Sequence, residues 1–233
     1  MTGTDITLRA LSALLTYPDA ALTAAVPALA SALAEEGRVS PAAFDALAPL
    51  LRNLAQEDLY ELEETYVSLF DRTRRLSLHL FEHVHGESRD RGQAMVDLAA
   101  LYETGGLLIA TNELPDFLPL FLEYAATRPR EEAQDLLADV DHILAGLEER
   151  LISRTSPYAA VFGALRSLAG SAELAEAPSE PKPSPEDELA ALDKEWEETA
   201  VTFGPGDAMG GCSVDRFRTQ LRAAQRDARH SAA

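Results

Sequence analysis

The stretch Glu131-Glu-Ala-Gln-Asp-Leu-Leu-Ala-Asp-Val-Asp-His-Ile-Leu-Ala-Gly-Leu-Glu-Glu-Arg150, with Leu151 after it, decides the fold class. Leu136, Leu137, Val140, Ile143, Leu144, Leu147 and Leu151 recur at spacings of three and four. They therefore share one side of a 3.6-residue helix and leave the polar residues on the other. The same period runs outward in both directions. Downstream, Pro157 to Ala169 reads as a further core helix. Upstream, Pro115 to Thr127 is apolar almost all round, which marks a buried helix. Arg89 to Thr104 places Ala94, Met95, Leu98, Leu101 and Tyr102 inward and stops at Gly105-Gly106. Leu59, Leu62, Tyr66, Leu69 and Phe70 line one face of another helix. Before it, Ser40-Pro41 supplies an N-cap and a first-turn proline for a helix to about Ala55. Ala20–Glu36 ends at Gly37, and Leu8, Leu11, Leu14 and Leu15 form a stripe closed before Pro18.

Composition agrees. Of 233 residues, 40 are Ala and 36 are Leu, against 13 Val plus Ile, so helix formers outweigh the β-branched residues that strands select. The expectation is a single all-α helical-bundle domain of about eight or more helices over residues 1–170. A change follows Gly170. Residues 171–188 hold four prolines and six acids with one lysine, and read as a solvated linker. Residues 189–233 read as a short helix bearing Trp196, a glycine-rich turn and an arginine-bearing tail.

The net charge of −19 argues against nucleic acid and against an anionic membrane surface, which both require a basic footprint. No apolar run approaches the roughly 18 residues of a membrane span. The first ten residues lack a basic region followed by an apolar core, and the lone Cys212 cannot form an internal disulfide. The reading is a cytoplasmic protein, monomeric or weakly dimeric, without membrane insertion.

Chemistry-bearing residues crowd into Arg74–Gly92, where the helical pattern breaks between Asp71 and Ser88. His79, Glu82 and His83 satisfy H-x-x-E-H, an inverted zinc-protease pattern. For a third ligand the downstream chain offers His142 or a generic acid at no recognisable spacing, and Leu80, Phe81 and Val84 leave little polar support for imidazoles. Thr73-Arg74-Arg75-Leu76-Ser77-Leu78 imitates a twin-arginine export signal, but far from the N-terminus. The plainer reading has these side chains pairing with local acids and backbone. Gly204-x-Gly206-x-x-x-Gly210-Gly211 follows no strand, so it does not read as a dinucleotide fingerprint. The tail carries Arg216, Arg218, Arg222, Arg226 and Arg229 and reads as a helix folding onto the acidic body.

The words of the block matter more than any single motif. Tyr66 through Leu98, continuing through Tyr102-Glu-Thr-Gly-Gly-Leu107 to Asn112-Glu-Leu-Pro-Asp-Phe-Leu-Pro119, resembles the signature of respiratory nitrate reductase molybdenum cofactor assembly chaperones, also called delta subunits. These belong to the wider superfamily of molybdoenzyme maturation chaperones. The resemblance covers about residues 5–170, and more loosely Trp196 to Phe203. It implies an all-helical chaperone, not an enzyme, with no cofactor of its own. It implies binding to the N-terminal segment of the apo catalytic (alpha) subunit, support for molybdenum cofactor insertion, delayed membrane docking, and departure from the finished enzyme. In that superfamily an acidic-Pro-Asp-His element lines the partner groove. The matching positions here are Glu113, Pro115 and Asp116, with Phe117 in place of histidine. That departure fits the nitrate reductase branch better than a chaperone of a dimethyl sulfoxide or trimethylamine-oxide reductase. The expected groove combines Tyr66, Leu69 and Phe70 as apolar anchors with the loop residues Leu80, Phe81, Glu82, His83, His85, Glu87, Arg89 and Arg91, and with Glu113, Leu114, Pro115, Asp116 and Phe117. Glu82, Glu87 and Asp116 would meet a basic partner residue, while Arg89 and Arg91 would tie the loop down.

Overall fold

Local sequence sets where each helix begins. A computed structural model describes residues 4–84, 90–110 and 113–170. The side chains of Asp5, Asp19, Ser40 and Asp58 each accept a backbone N–H that the first helical turn leaves unpaired. They open α1 (Ile6–Leu14), α2 (Ala20–Glu36), α3 (Pro41–Gln56) and α4 (Leu59–Tyr66). After a break come α5 (Leu80–Val84), α6 (Asp90–Thr104), α7 (Leu118–Ala126), α8 (Arg130–Ser153) and α9 (Ala159–Leu168). Gly37 closes α2 in the left-handed region at φ +63°, and Gly106 turns the chain after α6 at φ +84°. The fold is all-α. Among the described residues no helix is long and apolar enough to cross a membrane.

Packing follows from which faces are apolar. In α1, Leu8, Leu11 and Leu14 are fully buried, as is Leu15 at its C-cap, and the helix lies against α7 and α2. Ser12 Oγ donates to the Pro119 carbonyl at 2.7 Å, and the Asp5 N–H donates to Ala126 O at 2.8 Å, so α1 is tied to both ends of α7. Five consecutive residues of α9, Val161 to Leu165, are buried as it wedges between α8, α3 and α1. Arg166 locks that wedge, donating to Asp141 (3.1 Å) and Glu148 (2.6 Å) on α8.

Three elements depart from the sequence expectation. The fourth helix does not run on as α-helix: it ends at Tyr66 and widens into a π-turn over Val67–Asp71, where Arg72 N–H reaches back five residues to Val67 O. The segment expected to be a break holds a 3₁₀ turn at Arg74–Leu76 and α5. Helix α7 starts three residues later than Pro115, because Pro115–Asp116 forms a turn and Phe117 makes an isolated antiparallel bridge with His79, flanked by Leu80 N–H donating to Asp116 O and Leu118 N–H to Leu78 O. His85, Glu87, Arg89, the linker 171–188 and the segment 189–233 lie outside the described residues.

Burial ranks the consequences. Leu11→Ala, at a fully enclosed position, should lower the unfolding free energy by about 2–5 kcal/mol. Val96→Ala, on an exposed face of α6, should stay within about 0.5 kcal/mol. Urea denaturation followed by circular dichroism measures both.

Candidate partner-binding surface

The residues expected to grip a partner divide into an interior set and a surface set. The interior set is organised by Asp116, which is wholly buried. A buried carboxylate is costly unless charge and hydrogen bonds compensate it. Here Phe81 N–H donates to Oδ2 (3.1 Å), His79 Nδ1–H donates to Oδ1 (3.1 Å), and Arg91 stands 4.0 Å from Oδ2. Around this centre Leu80 N–H donates to Asp116 O (2.9 Å), Leu118 N–H to Leu78 O (2.8 Å), and Tyr102 Oη–H to Pro115 O (2.8 Å). Phe117 packs against the His79 ring at 5.4 Å. Glu82 pairs with Arg91 at 3.3 Å, and His83 Nε2–H donates to the Ser77 carbonyl at 2.8 Å.

The hydrogen bond to Asp116 raises the His79 pKa, outweighing the opposing effect of burial. His83 moves the other way, chiefly through burial. The zinc-protease arrangement is not built: each imidazole commits one nitrogen to a structural partner, and Glu82 faces Arg91. Among the described residues no three His, Cys, Asp or Glu side chains gather where they could hold a metal ion.

Several expected contact residues are therefore internal. Asp116 is spent on His79, Phe81 and Arg91 and offers no face to a partner. Leu80 and Phe81 are buried beside it. Tyr66, Leu69 and Phe70 are also buried, because an apolar stripe at helical spacing turns toward the core. Exposed or half-exposed are Glu113, Leu114, Pro115, Phe117, Glu82, His83 and Arg91. Tyr66 heads an aromatic column. Its ring lies 5.0 Å from Phe70, Phe70 lies 5.2 Å from Tyr158, and the Tyr66 hydroxyl donates to Leu15 O at 2.9 Å.

On the outer side of that column lies a surface hollow of about 420 Å³, lined by Tyr17, Tyr60, Glu63, Glu64, Val67, Ser68 and Arg72. Tyr17 meets Tyr66 edge-on at 5.5 Å, a ring contact that joins the hollow to the core. Tyr60 is 81% exposed and Tyr17 46%, and Val67 is exposed as well. Partial burial and the nearby Glu63 and Asp71 carboxylates push the Tyr17 hydroxyl pKa up. None of these lining residues was singled out by periodicity, since Tyr60 and Val67 fall off the inward stripe. The legible signal was charge: Glu57 to Asp71 contains six acids and no Lys or Arg.

Residues 17–164 match the family model described as nitrate reductase delta subunit. The nitrate reductase molybdenum cofactor assembly chaperone NarJ of Escherichia coli K12 is 42% identical over 221 residues, 94% of both chains. The same organism's probable nitrate reductase molybdenum cofactor assembly chaperone NarW is 43% identical over 84% of this chain and 83% of its own. A probable chaperone NarJ of Bacillus subtilis 168 is 33% identical over 68% of this chain and 85% of its own.

The Asp116–His79 contact has a defined pH dependence. A histidine whose folded pKa is raised contributes stability below its unfolded value, near 6.5, and loses it as pH rises through the folded value. The stability margin of the unaltered chain over His79→Gln should thus be widest below pH 6.5 and shrink above it. Asp116→Ala, which orphans the Phe81 N–H, should cost about 1–3 kcal/mol. Denaturation at several pH values and an NMR titration of the His79 ring check both, the ring midpoint falling in Asp116→Asn.

Proposed function

This chain belongs to the nitrate reductase delta subunit family, and on that premise we propose that it binds the N-terminal segment of the catalytic (alpha) subunit of a nitrate reductase before the molybdenum cofactor is inserted. Its curated relatives are assembly chaperones, so the chain acts as a chaperone and not as an enzyme. Holding the client segment delays membrane docking until the cofactor is in place, after which the chaperone leaves the finished enzyme.

The observation that carries this reading is the acidic, aromatic hollow on α4. An amphipathic helical segment laid across Tyr17, Tyr60 and Val67 would bury an apolar anchor there and bring basic residues to Glu63 and Glu64. The buried Tyr66, Leu69 and Phe70 form the rigid floor, a supporting role in place of direct contact. Glu113 and Leu114, exposed in the loop before α7, extend the contact area.

Energetics favour reversibility. Ordering a flexible segment costs on the order of 2–5 kcal/mol of its gross interaction energy. A short helix with two or three anchors then holds at about micromolar to nanomolar affinity, roughly −8 to −12 kcal/mol. A chaperone that must let go works in that range.

Calorimetric titration of the full chain with a synthetic peptide of the alpha-subunit N-terminus tests the site. Tyr60→Ala and Val67→Asp should each weaken binding about tenfold or more, roughly 1.4 kcal/mol. Leu108→Ala, exposed but outside the hollow, should leave affinity within about twofold. Rising salt should weaken binding. Undiminished affinity in both hollow variants removes α4 from the interface.

A further inference from the structure

The hollow has a second candidate occupant in the chain itself. We propose that the C-terminal segment Ser213–His230 docks in cis onto the hollow of Tyr17, Tyr60 and Val67 and must be displaced by the client; the displacement rests on the client reading above, the docking does not.

Three observations carry it. The first is unpartnered apolar surface on a rigid element. Tyr60 is four-fifths exposed, and Tyr17 and Val67 stand beside it over a floor fixed by the Tyr66–Phe70–Tyr158 column. The second is charge. The α4 region from Glu57 to Asp71 holds six acids without a cation, and Arg72 alone among the lining residues is basic. Ser213–His230 carries five arginines against Asp215 and Asp227, a net +3 within a chain whose first 212 residues sum to −22. In the same segment Val214, Phe217, Leu221 and Ala224 stand at i, i+3, i+7 and i+10, a spacing of the kind that helix-in-groove partners present.

The third is reach. Forty-two residues separate Gly170 from Ser213. Forty-two residues treated as a random coil would span about 36 Å root-mean-square, close to the roughly 30–40 Å diameter of a 170-residue body. Such a tether holds the segment near millimolar effective concentration. A segment with an intrinsic dissociation constant of about 0.1 mM would then occupy the hollow about nine-tenths of the time and weaken a competing client about tenfold. The device sets a threshold: a strong amphipathic client segment displaces the tail, and weaker basic peptides do not.

Cys212, the chain's one cysteine, adjoins the segment and serves as the probe position. A nitroxide placed on it in the full chain should broaden the amide resonances of Tyr17 and Tyr60–Ser68 at a dilution where chains do not meet. Arg218→Glu with Arg222→Glu and Arg226→Glu should relieve the broadening, as should about 0.5 M salt. The triple variant should bind the alpha-subunit peptide about tenfold more tightly. Unbroadened amides, broadening that charge reversal leaves intact, or broadening that vanishes on dilution as contact between two copies would, each overturns docking in cis. If the peptide binds without relieving the broadening, the client reading of the hollow fails while cis docking stands.

Discussion

A single buried carboxylate holds together the part of this molecule that is neither helix nor ordinary loop. Asp116 would be strongly destabilising in an apolar interior if it were unpartnered. It is tolerated because one backbone N–H, one imidazole and one guanidinium converge on it. The convergence has a geometric consequence: the chain on either side, Leu78–Phe81 and Asp116–Leu118, must run close enough to exchange backbone hydrogen bonds. That short pairing sets where α5 and α7 begin. Through Ser12 and Pro119 it also fixes how α7 sits on α1. The central helices thus inherit their register from a polar contact, while the apolar core supplies most of the stabilisation.

The second organising feature is aromatic. Tyr158, Phe70, Tyr66 and Tyr17 form a chain of ring contacts from the interior to the surface. The π-turn follows directly after Tyr66, and across it Leu69 and Phe70 stay buried with Tyr66 while Val67 faces outward. A surface supported this way is held by the packing beneath it, so under the proposed client binding little of the interaction energy would go to ordering the chaperone.

Helix positions were legible wherever a cap and a stripe agreed. Ser40-Pro41, Gly37 and the Leu136-to-Leu151 stripe marked elements close to those observed. The reading failed where tertiary pairing overrode local pattern. Nothing between Asp71 and Val84 announces that α5 exists, because its first turn is held by Phe81 N–H donating to an acid 35 residues away. The burial of the expected anchors Tyr66, Leu69 and Phe70 has a different reason. Periodicity identifies an apolar face, and an apolar face points inward by default. Tyr60 and Val67, exposed apolar side chains off that stripe, are visible as a surface only once Tyr17 has been folded beside them. The family resemblance carried what periodicity could not, since it rested on particular words and not on spacing.

The departure at Phe117 can be understood from the same contacts. Position 117 packs directly against the His79 ring, whose protonated form the Asp116 carboxylate favours. An imidazole at position 117 would place a second titratable base about 5 Å from the first, and like charges at that separation oppose each other's protonation. It would also compete for Asp116, which already serves Phe81, His79 and Arg91. Phenylalanine avoids both conflicts and shields the His79–Asp116 contact from water, which strengthens it. The Asp116 carboxylate is thereby turned inward, while Glu113 and Leu114 are exposed and Pro115 and Phe117 half-exposed. The neighbouring surface at α4 differs from this element in presenting exposed apolar side chains, Tyr60 and Val67, together with the Glu63 and Glu64 carboxylates.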